Sequence, residues 1–454
     1  MTQNYLLILL LTTTVAAPAR GQLVDGHEVD PIDSRLAARW ESHGLQPAAR
    51  CTDGQFLRRL SLDLLGRIPT EPELEAFLQL PDRSAAIERM LGSQEFDEFW
   101  ALNWTTQLYG YAENSADSEM LQHWLVEQIT AQRGYDETVR RLITANGESA
   151  FDGAVNFLLR YPDEPVVKVS RAFLGVRLDC ARCHDHPFDR WTKDDFTRMN
   201  RFFAGLERRD VAAGNARLVD VVRELPPDER PRFLTGAQPR TTQWRSEFAL
   251  FLTSSRPFAR NFANRLWYHM LGRGIVHPVD DVSRENRPAV PELLEWLADE
   301  SQRSRFDVRH MLRLIANSTA YQLDSRSQRG DEERLRLFAV RTLKPMTPEQ
   351  LYTSTCVALG KPVNPDERFQ FVRAFLADAL DGDFGSTWEY RETVQGLMSR
   401  LVETQIPPTR DFDALFRRIL SRAPSGPERA ALASRPAREV GFVLLNCSEF
   451  AFNH

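Results

Sequence analysis

The chain contains little cysteine and almost no lysine for its length. Five cysteines occur in 454 residues, which excludes a small scaffold held together by many disulfides. The only lysines are Lys168, Lys193, Lys344 and Lys361, so arginine supplies nearly all of the positive charge. The arginines are spread along the chain and are offset by acidic residues to a net charge of −6. This charge pattern gives no indication of nucleic-acid binding.

Long apolar runs and several common catalytic motifs are also missing. No segment approaches the roughly 18 uninterrupted apolar residues that a membrane-spanning helix needs, so we expect no transmembrane anchor. The sequence has no Gly-rich phosphate loop, no nucleophile elbow and no His-Glu-x-x-His motif. What remains is an ordinary globular composition, 42% hydrophobic and 26% charged, in a chain long enough for two or three domains.

The N-terminus has the pattern of an export signal. An apolar run from Tyr5 to Leu11 is too short to cross a bilayer, and Ala17 and Ala19 form an Ala-x-Ala-like cleavage point. No lysine or arginine precedes the run. We predict a cleaved signal peptide at residues 1–21, and hence a periplasmic or secreted protein.

One short motif carries recognisable chemistry. Cys180 and Cys183 are separated by two residues and followed directly by His184, the pattern by which c-type haem is attached. Each thiol adds to one of two vinyl groups on the same edge of the porphyrin, so the sulfurs must lie one short turn apart. The adjacent imidazole can then ligate the iron. The motif predicts covalent haem c on Cys180 and Cys183, with His184 as the metal ligand.

Three other interpretations of the motif remain open. A structural zinc or iron site could use Cys180, Cys183, His184, His186 and Asp189. The cysteine pair could instead be a redox dithiol, or a plain disulfide in an exported protein. A four-ligand zinc site more typically shows a second Cys or His pair at similar spacing, and the sequence has none. Haem is therefore the leading interpretation, with zinc as the alternative.

A second iron ligand is not defined by the motif. Met199 lies on the next predicted helix, His269 occurs in an aromatic cluster, and His186 follows the motif closely. We consider these three as candidates for the distal iron ligand, or for a side chain that orients the haem site without binding the iron. A core methionine, a hydrogen-bonded core histidine and a loop histidine are the respective alternatives.

The other three cysteines are Cys51, Cys356 and Cys447. They can form at most one disulfide, for which Cys356 and Cys447 are the candidate pair. Small, buried, apolar cysteines are the alternative.

Helical signals dominate the chain. Asp30-Pro31 and the capping box at Thr70 are typical of helix starts, and residues 95–111 carry an aromatic stripe. A helix from residue 163 leads into the cysteine motif, and another begins at Thr192 directly after it. Strand signals are scarce, so we predict an all-α fold.

The helical pattern is interrupted once. Residues 207–243 are rich in Arg, Pro and Asp and lack helical periodicity. A short hairpin of residues 219–222 with 232–234 is possible there. We therefore predict two helical domains, residues 27–206 and 244–454, joined by an irregular linker at 207–243. The last helix is expected at 438–445, followed by an apolar tail that docks on the protein.

Several longer segments carry a family resemblance. They are Phe56–Thr70, Phe173–Trp191, Asn264–Val276, Pro291–Ala298 and Asn446–His454. In these segments the chain resembles the planctomycete cytochrome-associated proteins. There, a planctomycete-specific cytochrome domain precedes a second planctomycete-specific domain, and both are domains of unknown function. The resemblance implies a periplasmic or secreted location and haem c on Cys180, Cys183 and His184. It implies no established substrate.

Three functions are compatible with these observations. The leading hypothesis is an exported single-haem protein that exchanges electrons with a redox partner protein. The second is a haem-dependent oxidative enzyme, peroxidase-like or acting on polysaccharide, with an open iron position beside His186 or His269. The third is a structural or assembly protein stabilised by zinc. The sequence does not indicate an oligomeric state.

Overall fold

The chain folds mainly as α-helices. The computed structural model describes residues 23–24, 27–28, 30–110, 116–163, 165–187, 189–212, 214–377, 411–432 and 434–454. In this part the protein has 22 α-helices and only small sheets of two or three strands, so the predicted all-α class is confirmed. The predicted signal peptide lies outside the described residues. No described helix is both long and apolar enough to cross a membrane.

Ten described helices lie before the predicted linker. They are α1 (Pro31–Ser42), α2 (Asp53–Leu65), α3 (Glu71–Gln79), α4 (Arg83–Leu91), α5 (Gln94–Tyr109), α6 (Ala116–Thr130), α7 (Tyr135–Thr144), α8 (Val155–Arg160), α9 (Pro165–Val169) and α10 (Lys193–Asn200). Helix α9 continues as a π-helical turn, Ser170–Leu174, and three 3₁₀ turns lie at Cys180–Arg182, Arg201–Phe203 and Pro227–Glu229.

The helices of the second half begin after the predicted linker. They are α11 (Trp244–Ser254), α12 (Arg256–Leu271), α13 (Pro291–Arg303), α14 (Val308–Asn317), α15 (Thr319–Gln322), α16 (Glu332–Arg336), α17 (Pro348–Leu359), α18 (Pro365–Ala377), α19 (Phe412–Leu420), α20 (Gly426–Leu432), α21 (Ala437–Leu445) and α22 (Ser448–Ala451).

The helix starts follow the local capping chemistry. The Asp30 carboxylate accepts the Ile32 N–H at 2.7 Å, which satisfies an orphan amide of the first turn. Thr70 and Thr192 each form a complete capping box with the acidic residue three positions later. These predicted starts are confirmed, and the last long helix, α21, ends at Asn446 as expected.

The strands form three small antiparallel sheets. They are β1 (Leu23–Val24) with β2 (His27–Glu28), β3 (Gly147–Glu148) and β4 (Leu206–Ala212) on either side of β5 (Asn215–Asp220), and β6 (Lys344–Pro345) with β7 (Phe452–Asn453). The last pair attaches the C-terminal tail, whose Phe450, Ala451 and Phe452 are buried. Docking of this tail is thus confirmed.

The hairpin in the predicted linker is displaced from its expected place. It joins β4 to β5 and turns at Gly214, whose φ is +81°, rather than pairing residues 219–222 with 232–234. Ala216 and Leu218 alternate with exposed positions along β5 and face the core. This period-two pattern is the strand signal. The sequence does not show the hairpin clearly, because its other strand, β4, consists largely of charged residues.

Apolar packing divides the chain differently from the predicted linker. The main core runs from Ile32 to Ala339 and takes side chains from both sides of residues 207–243. A second, smaller core combines Leu62 and Ile68 with side chains from Met346 to Phe452. The domain boundaries proposed from sequence stay a prediction, and helix α2 contributes to both cores.

A buried carboxylate on α2 links these two cores. Asp63 is fully buried, and its Oδ2 accepts from the Tyr321 hydroxyl at 3.0 Å and from Arg341 Nη2 at 3.3 Å. Its Oδ1 accepts from Asn453 Nδ2 at 2.8 Å and from Lys344 Nζ. Both oxygens are therefore saturated by partners up to 390 positions away in the chain.

Two buried arginines on α2 reinforce the same junction. Arg58 donates to the carbonyls of Ile419 and Phe450, both at 2.9 Å. Arg59 donates to the carbonyls of Tyr321 and His454. Burial lowers the pKa of each guanidinium to about 10, so both remain charged at neutral pH. The hydrogen bonds to backbone carbonyls offset part of the cost of burying these charges.

We expect Asp63→Asn to destabilise the protein strongly. The substitution keeps the size of the side chain but leaves Lys344 and Arg341 without their counter-charge. Breaking a buried pair in this way costs about 3–5 kcal/mol, measurable as a fall in the free energy of unfolding in urea. The exposed Asp228 is the control, since Asp228→Asn should change stability by less than about 0.5 kcal/mol. Equal losses in the two variants would contradict this account.

Candidate functional site

The chain enters the cysteine motif through a tightly packed glycine. Gly175 ends the π-helical turn with φ +69°, and its carbonyl accepts the Val282 N–H at 2.8 Å. A Cβ at this position would lie 2.7 Å from Asn261 Oδ1 and 2.9 Å from the Val282 side chain. The position therefore requires glycine for two reasons, a left-handed backbone and a close approach to α12.

Ion pairs hold the same approach to the motif. Arg171 and Arg177 contact the two carboxylate oxygens of Asp280 at 3.1 and 3.0 Å. Burial alone would raise the pKa of Asp280, but the Arg177 hydrogen bond and the charge of both arginines hold it below its ordinary value. The backbone before Cys180 is thus anchored to a segment about 100 residues later in the chain.

The motif itself is one short turn on the surface. Cys180–Arg182 form a single 3₁₀ turn, in which the Ala181 N–H donates to the Leu178 carbonyl at 3.0 Å. Ala181 is fully buried, whereas Cys180 and Cys183 are exposed and carry free thiols. The turn therefore anchors its middle residue in the core and leaves both sulfurs accessible to solvent.

The imidazole of His184 is also exposed, and one of its nitrogens is engaged. Nδ1 lies 2.8 Å from the Asp185 carbonyl oxygen. Because a carbonyl can only accept, this contact assigns the proton to Nδ1 and leaves a lone pair on Nε2. A backbone carbonyl that holds Nδ1–H is the usual arrangement behind a metal-ligating histidine.

The loop after His184 is closed onto the start of α10. The Asp185 carboxylate accepts the Lys193 N–H at 2.9 Å, and the His186 N–H donates to the Trp191 carbonyl at 2.8 Å. The Trp191 ring is buried, and the Arg190 guanidinium lies 4.4 Å from its centroid. The indole Nε1 of Trp191 is buried without an acceptor among the described residues, so it has a hydrogen bond to give.

The candidate distal ligands differ in their burial and in their distance along the chain from the motif. His186 is half-buried in the motif loop itself. Met199 is fully buried in the main apolar core on α10. The structure therefore keeps His186 beside the motif and places the Met199 thioether among core side chains, away from solvent.

His269 lies in a different environment, at the junction of α2, α5 and α12. Its Nε2 lies 2.8 Å from the Asp63 carbonyl, its Nδ1 lies 3.4 Å from Asn103 Nδ2, and its ring is 4.6 Å from that of Trp100. Burial and the nearby Lys344 ammonium lower the pKa of His269 to about 4. It is a neutral imidazole that is hydrogen-bonded to the backbone carbonyl of Asp63 rather than to the cysteine motif.

The described residues show neither a clustered metal site nor a disulfide. In the described part of the chain, no group of three or more His, Cys, Asp or Glu side chains is arranged to hold a metal ion. The suggested Cys356–Cys447 disulfide is not formed, and both thiols are free. The Cys447 thiol instead donates to the Leu444 carbonyl at 3.0 Å, and Cys356 packs in the second core. Cys51 is likewise a buried, free thiol.

Two family matches cover most of the chain. Residues 31–208 match PSCyt2, a protein of unknown function (DUF1549), and residues 244–374 match PSD1, a protein of unknown function (DUF1553). The chain belongs to the PSCyt2–PSD1 family. This confirms the resemblance to planctomycete cytochrome-associated proteins, with the two domains in the expected order. No curated protein and no solved structure matches the chain.

The PSCyt2 and PSD1 segments are in contact both beside the cysteine motif and at the buried carboxylate. Gly175, in the PSCyt2 segment, packs against Asn261 of the PSD1 segment just before the cysteine motif. Asp63, also in PSCyt2, binds Tyr321 and Lys344 of PSD1. The geometry of the motif and of the buried carboxylate therefore depends on both segments of this PSCyt2–PSD1 protein.

Sequence reasoning missed the buried charges of α2. Arg58, Arg59 and Asp63 were not singled out as buried groups, yet all three are fully buried. The spacing of the apolar residues along α2 does indicate that this helix is buried. Apolar residues at 56, 57, 60, 62, 64 and 65 spread over about two thirds of the helix circumference, which is wider than the single apolar stripe of a surface helix. A helix of this kind is buried, and its charges then need internal partners.

We expect Gly175→Ala to be more destabilising than an alanine at a similar open position. Gly360 is a matched control, since it ends α17 with φ +68° and has nothing within 4 Å of an added Cβ. Gly360→Ala should cost about 1 kcal/mol for the left-handed backbone. Gly175→Ala should lose a further 1–3 kcal/mol, roughly, through overpacking. Urea unfolding measures both, and equal losses would show that the contact with α12 is unimportant.

Proposed function

We propose that this PSCyt2–PSD1 protein is exported and carries one covalently attached c-type haem, through which it exchanges electrons with a redox partner protein. The observation that carries the proposal is the donor set at the motif. Two free, exposed thiols lie within one short turn. The adjacent exposed imidazole has its Nδ1 engaged by a backbone carbonyl and its Nε2 lone pair available.

Each residue of the motif has a distinct role in this proposal. Cys180 and Cys183 provide the sulfurs of two thioether bonds, and His184 Nε2 provides an iron ligand. The Asp185 carbonyl keeps the proton on His184 Nδ1 and so maintains the ligating tautomer. The buried Trp191 Nε1–H offers a hydrogen bond beside the motif. When bound, the haem supplies an iron that changes its charge by one electron.

Export is supported by two features of the sequence. The apolar run from Tyr5 to Leu11 with its following small residues has the pattern of a signal peptide. Thioether attachment of haem also takes place outside the cytoplasm, so the motif and the signal are consistent. A periplasmic or secreted location follows from both together.

A haem-dependent oxidative enzyme is the second candidate function. One observation favours it: of the three distal candidates, Met199 is sealed in the core and His269 is engaged at the Asp63 junction. An iron without a strong sixth ligand can bind oxygen or peroxide, and the surroundings of the open position then decide its reactivity. The spin state separates the candidates. Six-coordinate, low-spin iron supports electron transfer, and high-spin iron that reacts with peroxide supports the enzyme.

We expect covalent haem to depend on the two motif cysteines. The chain should be expressed in a periplasm with cytochrome c maturation factors, and its haem stained after denaturing electrophoresis. Colour should remain with the protein and vanish in the Cys180→Ala, Cys183→Ala double variant. Cys356→Ala with Cys447→Ala is the control, since these thiols lie in and beside the second core. A colourless native protein, or one that holds zinc without a Soret band, would refute the proposal.

We expect His184→Ala to change the iron spectrum while His186→Ala leaves it unaltered. The two imidazoles lie in the same loop, so the pair is matched for position and for the loss of a histidine. Loss of the proximal nitrogen from His184 should shift the Soret band and expose the iron to added imidazole. The absorption spectrum of each purified variant tests this. The opposite result, with only His186→Ala altered, would reassign the ligand.

A further inference from the structure

A cavity lies where the two apolar cores meet, away from the cysteine motif. Its volume is about 340 Å³, within the range of small-molecule sites. One wall is a single face of α5, including Phe99, Asn103 and Thr106, and another is formed by Tyr268 and His269 at the end of α12. The segment 344–350 and the end of α18 complete the described lining. The cavity thus combines aromatic walls with a few converging polar groups.

Two cations at or behind the wall of this cavity share one buried carboxylate. Arg341 and Lys344 both bond to the one carboxylate of Asp63, and both carboxylate oxygens already accept two hydrogen bonds each. Nε and Nη1 of Arg341 are buried without acceptors among the described residues. Excess buried charge of this kind is costly unless an anion compensates it.

Lys344 is the cation that reaches the cavity. Its Nζ donates to Asp63 and, at 2.6 Å, to the His269 carbonyl. An ammonium has three N–H donors, so one remains for a group inside the cavity that Lys344 lines. Burial lowers the pKa of Lys344, as expected for a cation with incomplete compensation.

The acidic residue of the cavity is compatible with a bound anion. Glu349 lines the same space, and burial raises the pKa of its carboxyl, although the Thr347 hydroxyl and the charge of Arg368 act in the opposite direction. Burial thus acts against the negative charge that this carboxyl would present to a bound anion. His269, the other titratable group on the wall, is neutral.

We propose that this cavity binds a small organic carboxylate with an apolar, ring-sized body. The carboxylate pairs with Lys344, and the body packs against Phe99, Tyr268 and Phe375. A single ammonium suits a monoanion. A neutral ligand would leave the excess charge uncompensated. The proposal does not rest on haem attachment at the cysteine motif.

Benzoate and benzamide are suitable probes because they differ in charge but not in shape. Isothermal titration of the full chain should give benzoate an affinity at least about tenfold higher than benzamide, since one charge-assisted hydrogen bond distinguishes them. Lys344→Gln should remove this preference. Lys361→Gln removes an exposed lysine instead and should retain it. Similar affinities for the two probes, or no heat with millimolar benzoate, would overturn the proposal.

A second variant keeps the test valid if Lys344→Gln fails to fold. Thr106 is half-buried on the α5 wall and its hydroxyl makes no hydrogen bond that the structure records. Thr106→Phe should fill the cavity and abolish benzoate binding while the thermal unfolding transition is retained. Benzoate binding that survives Thr106→Phe would place the ligand elsewhere and overturn the assignment. Haem content, measured on the same samples, is expected to be unaffected by either variant.

Discussion

The carboxylate of Asp63 is the constraint on which the rest of the structure depends. A fully buried carboxylate is stable only when hydrogen bonds and opposite charges replace its lost hydration. Here the four partners come from α15, from the segment before and within β6, and from the final strand β7. The negative charge can therefore be satisfied only after nearly the whole chain has folded. This requirement ties the main core to the second core through one side chain of α2.

The cysteine motif, unlike Asp63, presents its polar atoms to solvent. Its reactive atoms are exposed, and only Ala181 in the middle of the turn is buried. Rigidity comes from the flanks, where Gly175 packs on α12 and Asp280 binds two arginines. After the motif, Trp191 and the capping box at Thr192 hold the chain again. The two thiols and the imidazole are therefore presented to solvent by an exposed turn between two fixed supports.

Local chemistry made much of the fold predictable. Helix starts at Asp30, Thr70 and Thr192 were found from their side chains, because a cap needs only residues a few positions apart. The hairpin was misplaced, and the choice between a Cys356–Cys447 disulfide and free thiols stayed open until the structure showed free thiols, both for the complementary reason. Strand pairing depends on which segment lies alongside, and a disulfide depends on how two distant helices pack. Neither quantity is encoded in local spacing.

The sequence by itself determined the family and the helical class, since these follow from residue types at short, fixed separations. Only the tertiary structure decided where His269 and Met199 lie and why α2 buries two arginines and an aspartate. It also decided where the cavity beside Lys344 forms. The physical reason is that burial and charge compensation are properties of contacts between distant segments. Lys344 is one of four lysines in the sequence, and only the folded structure shows that this lysine bonds to Asp63.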